Sequence, residues 1–157
     1  MEKETSCVNS RAVLNYVKLH REEEAAGLLK DLDPDIDALP DPEGFLLDPN
    51  NWVSSEVMGK LYQRAREILR DEHAAFHIGK YSVETLSLGY IQSVIVKAFW
   101  SSKRAVKHAQ KINDKFNRSK RVEVADLKRD RALLRLHWSP HVKATKDVCL
   151  NNQGVYT

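Results

Sequence analysis

The sequence predicts an α+β fold, with five or six helices in the N-terminal two-thirds packed on a C-terminal antiparallel hairpin or small sheet. Three observations carry that prediction. The chain has 157 residues, enough for a core that needs no disulfide or metal staple. Up to about Phe116 the apolar side chains recur at the 3.6-residue helical period, most clearly as Val57, Met58, Leu61, Tyr62, Ala65, Ile68 and Leu69. After Lys120 the period drops to two, because Arg121-Val-Glu-Val-Ala alternates as a half-buried strand does.

A first helix is expected from Asn9 or Ser10, either of which can accept the orphan N–H bonds of a helix start, with Val13, Leu14 and Val17 as its apolar face. Glu22-Glu23-Glu24 then lead a short second helix through Ala25, Ala26, Leu28, Leu29 and Leu32, their charges favoured at the positive end of its dipole. The following Asp33-Pro-Asp-Ile-Asp-Ala-Leu-Pro-Asp-Pro-Glu permits no long regular element. It reads as a structured loop anchored by Ile36, Leu39, Phe45, Leu46 and Leu47, and it lacks the spacing and glycine of a calcium loop. Helices are expected over Ser55–Arg70, near His73–Lys80 and near Tyr90–Trp100. A basic helix capped by Ser101 or Ser102 follows, with Ala105, Val106, Ala109, Ile112 and Phe116 inward. The polar stretch Asp126-Leu-Lys-Arg-Asp turns the first strand into a second, Arg131-Ala-Leu-Leu-Arg-Leu-His-Trp. Two strands are marginal alone, so helices or further strands are expected on them.

With 42% apolar and 30% charged residues the chain reads as globular. No apolar run approaches the roughly 20 residues of a membrane span, and the start lacks a signal peptide's apolar stretch, so no membrane insertion and a cytoplasmic location are expected. Cys7 and Cys149 lie far apart and outside any Cys-x-x-Cys, which argues against a disulfide framework or structural zinc. One domain is expected over 1–157, with 1–8 flexible. Its tail, Asp147-Val-Cys-Leu-Asn-Asn-Gln-Gly-Val-Tyr-Thr, reads as an element cut short. Charge is graded along it: residues 1–50 carry 5 Lys/Arg against 12 Asp/Glu, and residues 101–157 carry 14 against 5. Such opposite ends attract each other within a fold or across a dimer, or attract a charged partner.

Few residues suggest chemistry. His73 and His77 share a helix face at i, i+4, yet Ala74 stands where a metalloprotease helix needs Glu. His137 and His141 have the same spacing, with Pro140 between them. These histidines are weak metal candidates beside the simpler reading of surface or core side chains. Cys149, within Val-Cys-Leu, is expected to be a small core hydrophobe. There is neither a Gly-x-Ser-x-Gly elbow nor a glycine-rich phosphate loop, so no catalytic residue is assigned. Lys103, Lys107 and Lys111 form an i, i+4, i+8 row flanked by Arg104, His108, Lys115 and Arg118. That basic face could track phosphates, but no nucleic-acid-binding signature accompanies it, and such faces usually meet water.

The segments Leu32-Asp-Pro-Asp-Ile-Asp-Ala-Leu-Pro-Asp-Pro-Glu, Asp48-Pro-Asn-Asn-Trp-Val-Ser, Ile112-Asn-Asp-Lys-Phe-Asn-Arg and Asp147-Val-Cys-Leu-Asn-Asn-Gln-Gly-Val-Tyr carry a resemblance. From about Asn9 to its end the chain resembles the N-terminal input region of bacterial signalling proteins, which precedes PAS or GAF modules and a histidine kinase or nucleotide cyclase output. That region is distantly similar to the 4-vinyl-reductase-like and haem-nitric-oxide-binding-like sensory domains, α/β folds with an internal pocket. The resemblance implies no catalytic constellation. The haem-binding relatives use a Tyr-x-Ser-x-Arg contact that this chain lacks, so no cofactor is expected. It implies an apolar ligand pocket, for which Trp52, Phe76, Tyr81, Tyr90, Phe99 and Trp138 have the right composition. The expected function is signal input in a bacterial two-component or cyclase system. The domain would bind a small ligand or a partner and regulate a downstream module as a homodimer, with Ser55–Arg70 and Tyr90–Trp100 as its moving or dimer-forming helices. The alternative is a nucleic-acid-binding or haem- or metal-binding regulatory domain.

Overall fold

The computed structural model describes residues 2–85, 109–128 and 131–156. The chain divides into two units, Met1–Glu84 together with Ala144–Thr157, and Thr85–Lys143. The architecture is α+β, as predicted; among the described residues it has two small antiparallel sheets, of which the C-terminal hairpin was expected and the N-terminal pair was not.

In the first unit, β1 (Thr5–Ser6) pairs antiparallel with β2 (Trp52–Val53), Thr5 opposite Val53 and Ser6 opposite Trp52. Residues 4–8, expected to be flexible, are therefore held in the fold. Glu4 is buried and its carboxylate accepts from the Ser55 hydroxyl. The first helix, α1 (Cys7–Arg21), starts earlier than Asn9 because Ser6 is its cap: Ser6 Oγ accepts from Val8 N–H at 3.2 Å and donates to the Pro49 carbonyl at 3.1 Å. Ser10 is instead buried inside the helix, donating to the Leu46 carbonyl at 2.7 Å. A 3₁₀ segment, Glu22–Leu28, replaces the expected second α-helix.

The Pro/Asp stretch folds as two short helices, α2 (Pro34–Asp37) and α3 (Pro42–Leu47). Each proline occupies the first turn, where its missing N–H costs nothing, and the Asp before it caps the helix. Asp33 accepts from Asp35 N–H at 3.0 Å and Asp41 from Gly44 N–H at 2.8 Å. Ile36 and Leu46 are buried, as their anchoring role requires. The Asp48–Asn51 turn then directs the chain into β2. Asp48 accepts from Asn50 N–H at 2.9 Å, and the Asn51 carbonyl accepts from Cys7 N–H at 2.9 Å.

The helix α4 (Ser55–Leu69) matches its predicted span to one residue. Ser54 caps it by accepting from Val57 N–H, and Arg70 closes it in the left-handed conformation at φ 53°. Its stripe of Val57, Met58, Leu61, Tyr62 and Ala65 is buried against Val13, Leu14 and Val17 of α1 and against Leu28, Leu32 and Ile78 in one cluster. Truncating a fully buried leucine such as Leu14, Leu28 or Leu61 to Ala costs about 2–5 kcal/mol. Polar side chains of α4 satisfy the carbonyls that the 3₁₀ segment and its exit leave open. Arg64 donates to the Leu28 and Asp31 carbonyls at 2.9 and 3.0 Å, and Lys60 donates to the Leu32 carbonyl at 3.0 Å.

The chain continues as α5 (Ala74–Glu84) and, after the second unit, returns as α7 (Lys146–Tyr156). These two helices run in the same direction. Lys146 lies 3.4 Å from Glu72 at the start, Asn151 Nδ2 donates to the Ala75 carbonyl at 3.2 Å, and Gly154 meets the backbone of Phe76 and Lys80. Asp147, buried, pairs with Arg66 of α4 at 3.4 Å. The tail forms a docked helix as far as Tyr156, and its buried stripe is polar: Asp147, Asn151, Asn152 and Gly154.

In the second unit, α6 (Ala109–Asn113) precedes β3 (Lys120–Leu127) and β4 (Ala132–Trp138). The hairpin pairs Lys120 with Trp138, Val122 with Leu136 and Val124 with Leu134, with a bulge between Val124 and Asp126. The expected helix near Tyr90–Trp100 and the first part of the basic helix lie outside the described residues.

At the α5–α7 crossing a Cβ on Gly154 would run into the Phe76 carbonyl, and one on Gly79 into the Asn151 carbonyl. Backbone cannot yield as a side-chain tip does, so Gly154→Ala or Gly79→Ala is expected to destabilise by about 1–3 kcal/mol or more. Gly59→Ala, where no atom lies within 4 Å of the added carbon, is expected to be neutral or mildly stabilising. Urea denaturation of the three variants checks this order.

Candidate functional site

Two side-chain clusters collect the sequence's chemical candidates, one in each unit. In the first unit the turn Asp71–His73 leads into α5, and Asp71 organises it. One carboxylate oxygen accepts from His73 N–H at 2.8 Å, and the other lies 2.8 Å from His77 Nδ1. Burial tends to raise the Asp71 pKa, but the hydrogen bonds from His73 N–H and the His77 ring outweigh it and hold the carboxyl below its ordinary value. On the facing helix, Tyr16 of α1 stacks against His20 at 4.3 Å and takes the Tyr81 ring edge-on at 5.2 Å. His20 Nδ1 lies 2.8 Å from the Tyr16 carbonyl, four residues earlier. Burial and then the Asp71 charge push the Tyr16 phenol up. Phe76 meets the His77 ring edge-on at 5.7 Å.

This arrangement brings together Phe76, Tyr81, His73 and His77 of the predicted candidates and adds Tyr16, His20 and Asp71. It is a surface of half-buried aromatic rings and exposed imidazoles built on α1 and α5 and the turn before α5. An acid–imidazole pair activates a nucleophile only when a hydroxyl or thiol faces the ring. Ser82, the hydroxyl of the next α5 turn, is committed to the Gly79 carbonyl at 2.6 Å. No group of three or more potential metal ligands among the described residues includes His73, His77 or His137. Trp52 sits apart in β2, opposite Ser6. Tyr90 and Phe99 lie outside the described residues.

Both cysteines depart from simple expectation. Cys149, read as core, is exposed, because α7 turns Asp147, Asn151 and Gly154 inward and leaves position 149 on the opposite side. Cys7 is the buried one, and burial pushes its thiol up, away from the thiolate that reactivity needs.

In the second unit the hairpin separates its residues by face. Lys120, Val122, Val124, Leu134, Leu136 and Trp138 share one face, where Lys120 Nζ lies 5.4 Å from the centre of the Trp138 ring. Burial brings the Lys120 pKa down to about 8. Arg121, Glu123, Arg135 and His137 share the other face. Glu123 accepts from Arg135 at 3.4 Å and lies 2.5 Å from His137 Nε2, and the His137 bond leads in holding its carboxyl below the usual range. Trp138 is therefore a cross-strand partner of Lys120. Of the basic face, Lys111 is exposed on α6 and Lys115 follows that helix, while Lys103, Arg104 and Lys107 lie outside the described residues. On α6 it is the amides that act on the sheet: Gln110 accepts from Val122 N–H, and Asn113 donates to the Lys120 carbonyl at 3.1 Å.

No family model and no curated protein matches the chain. No helix among the described residues is long and apolar enough to cross a membrane.

Two pH-dependent outcomes follow from these groups. Because the folded Asp71 pKa is depressed, its stabilising effect is present above the ordinary 3.8 and is lost as pH falls through the folded value. Asp71→Asn should destabilise clearly at pH 7 and hardly at all near pH 2, in paired thermal melts. Lys120 has the opposite sense. Its folded pKa of about 8 lies below 10.5, so the native state sheds its proton first and stability rises with pH across that window. Lys120→Met is expected to gain stability at pH 7 and to lose the advantage toward pH 10, read by urea titration at each pH.

Proposed function

We propose that the chain is a signal-input module of a bacterial signalling protein, a binding domain and not a catalyst, that passes a change in packing to a downstream output. The observation that carries this reading is the way Thr85–Lys143 is inserted into the first unit. The chain leaves α5 at Glu84 and returns at Ala144 to form α7, and those two helices are locked backbone to backbone at Gly79 and Gly154. A ligand or partner that displaces either end of the insertion acts on that pair. Closely packed helices respond by discrete shifts of about 1–2 Å and not by gradual deformation.

The half-buried rings of Tyr16, Tyr81 and Phe76, with the exposed His77 beside Phe76, support the ligand side of this proposal, since small-molecule sites combine aromatic walls with a few polar groups. The resemblance of the Asp-Pro-Asn-Asn-Trp and Asn-Asn-Gln-Gly segments to bacterial input regions supports the signalling side. A regulatory effect requires an effector that binds the two packing states with different affinity.

Cys149 is exposed and Cys7 buried, so a thiol-reactive nitroxide marks α7 selectively. With a second label at Glu84→Cys, an effector found by thermal-shift screening is expected to change the spacing of the two labels by about 1–2 Å in spin-resonance spectra. Stabilising compounds that all leave the spacing unchanged would contradict the input role.

A further inference from the structure

We propose that the outer edge of β4 is a docking site for an extended protein segment in which apolar residues alternate with Asp or Glu. The inference rests on the hairpin and holds whether or not the chain signals.

The hydrogen-bond phase of the hairpin is fixed at both ends of its first half. Ser139 N–H donates to the Ser119 carbonyl at 2.9 Å, so residues 119, 121 and 123 turn their backbone groups toward β4. Val122 N–H and the Lys120 carbonyl turn the other way, to Gln110 and Asn113 of the α6 region. The edge of β3 is therefore plugged by two side-chain amides. By the same alternation Leu134, Leu136 and Trp138, opposite Val124, Val122 and Lys120, turn their N–H and C=O groups out from β4. Among the described residues no strand pairs with that edge.

Of the devices that usually guard an edge, β4 has only the charge of Arg135. It contains neither proline nor lysine, the bulge lies in β3, and Leu133 beside the edge is 59% exposed. A two-stranded sheet gains most from a third strand. The side chains specify what that strand carries. On one face it meets Leu134, Leu136 and Trp138, and on the other Arg135 and His137, with Arg121 in the next row. Glu123 already pairs with Arg135 and His137 on that face, but Arg121 and Arg135 outnumber it, so charge complementarity still selects acidic residues there. Thr85–Lys143 carries 14 Lys/Arg against 4 Asp/Glu, whereas the rest of the chain carries 11 against 18. A second copy of β4 would oppose Arg135 to Arg135 or to His137 and is disfavoured on that count.

The test titrates the intact chain with a fluorescent nonapeptide alternating valine and glutamate. Two controls accompany it, one with lysine for glutamate and one N-methylated at alternate amides along one edge. The glutamate peptide is expected to bind at least about tenfold more tightly than the lysine peptide, and more weakly as salt rises. Hydrogen exchange should slow at the amides of Leu134, Leu136 and Trp138, and N-methylation should abolish binding. The double variant Glu123→Arg with Arg135→Glu, which keeps the cross-strand pair, should cut the glutamate preference by about tenfold or more. Equal binding of the three peptides would overturn the proposal, as would exchange protection away from β4. Concentration-dependent protection of the three amides without peptide would assign the edge to a second copy instead. Displacement of the peptide by a single-stranded oligonucleotide that leaves those amides unprotected would assign the charge to nucleic acid. Either result would also overturn it.

Discussion

The first unit depends on the close approach of α5 and α7, because that contact joins chain segments separated by the whole of Thr85–Lys143. The approach is possible only where two glycines remove the side chains between the helices, Gly79 facing Asn151 and Val155, and Gly154 facing Phe76 and Lys80. Close backbones leave little apolar area to bury, so polar bonds do part of the holding. Asn151 reaches the Ala75 carbonyl and Asp147 reaches Arg66. A buried polar group holds only while its partner stays in place, since an unsatisfied one costs about 1–3 kcal/mol. The crossing is accordingly specific in register as well as close.

That design explains where the sequence could be read and where it could not. The span of α4 was legible because its stripe is apolar and continuous and its cap, Ser54, precedes the first apolar turn. The hairpin was legible because Val122, Val124, Leu134 and Leu136 alternate with charges. The helix α7 was not. Of its apolar residues, Val148 and Leu150 pack against the core only partly buried and Cys149 is exposed, while its buried stripe consists of Asp147, Asn151, Asn152 and Gly154. Hydrophobic periodicity has no means to see a face buried by hydrogen bonds and small residues. The start of α1 was misplaced for a related reason. Ser6, Asn9 and Ser10 are all competent caps, and the pairing of β1 with β2 selects the first of them.

The candidate site was legible in its types and not in its assembly. His73, His77, Phe76 and Tyr81 lie on one short stretch and were visible together. Their partners, Tyr16 and His20, come from α1, and only the packing of α1 on α5 brings them near. Asp71 was hidden in plain sequence, two residues before His73, as a carboxylate that organises a helix start and orients an imidazole at once. The charge gradient, by contrast, was fully visible: the acidic excess falls in residues 1–50 of the first unit, and the basic excess in the second. The excess of positive charge in Thr85–Lys143 and of negative charge in the rest of the chain gives the two units opposite long-range fields.

The central claim is that α7 belongs to the cooperative core of the first unit. Native-state hydrogen exchange on the intact chain tests it most directly. The amides of Cys149 to Val155 are expected to exchange with the same free energy and denaturant dependence as those of α4, through global unfolding. Exchange of α7 by a local opening several kcal/mol below that of α4 would contradict the account, and would make the helix a loosely attached end.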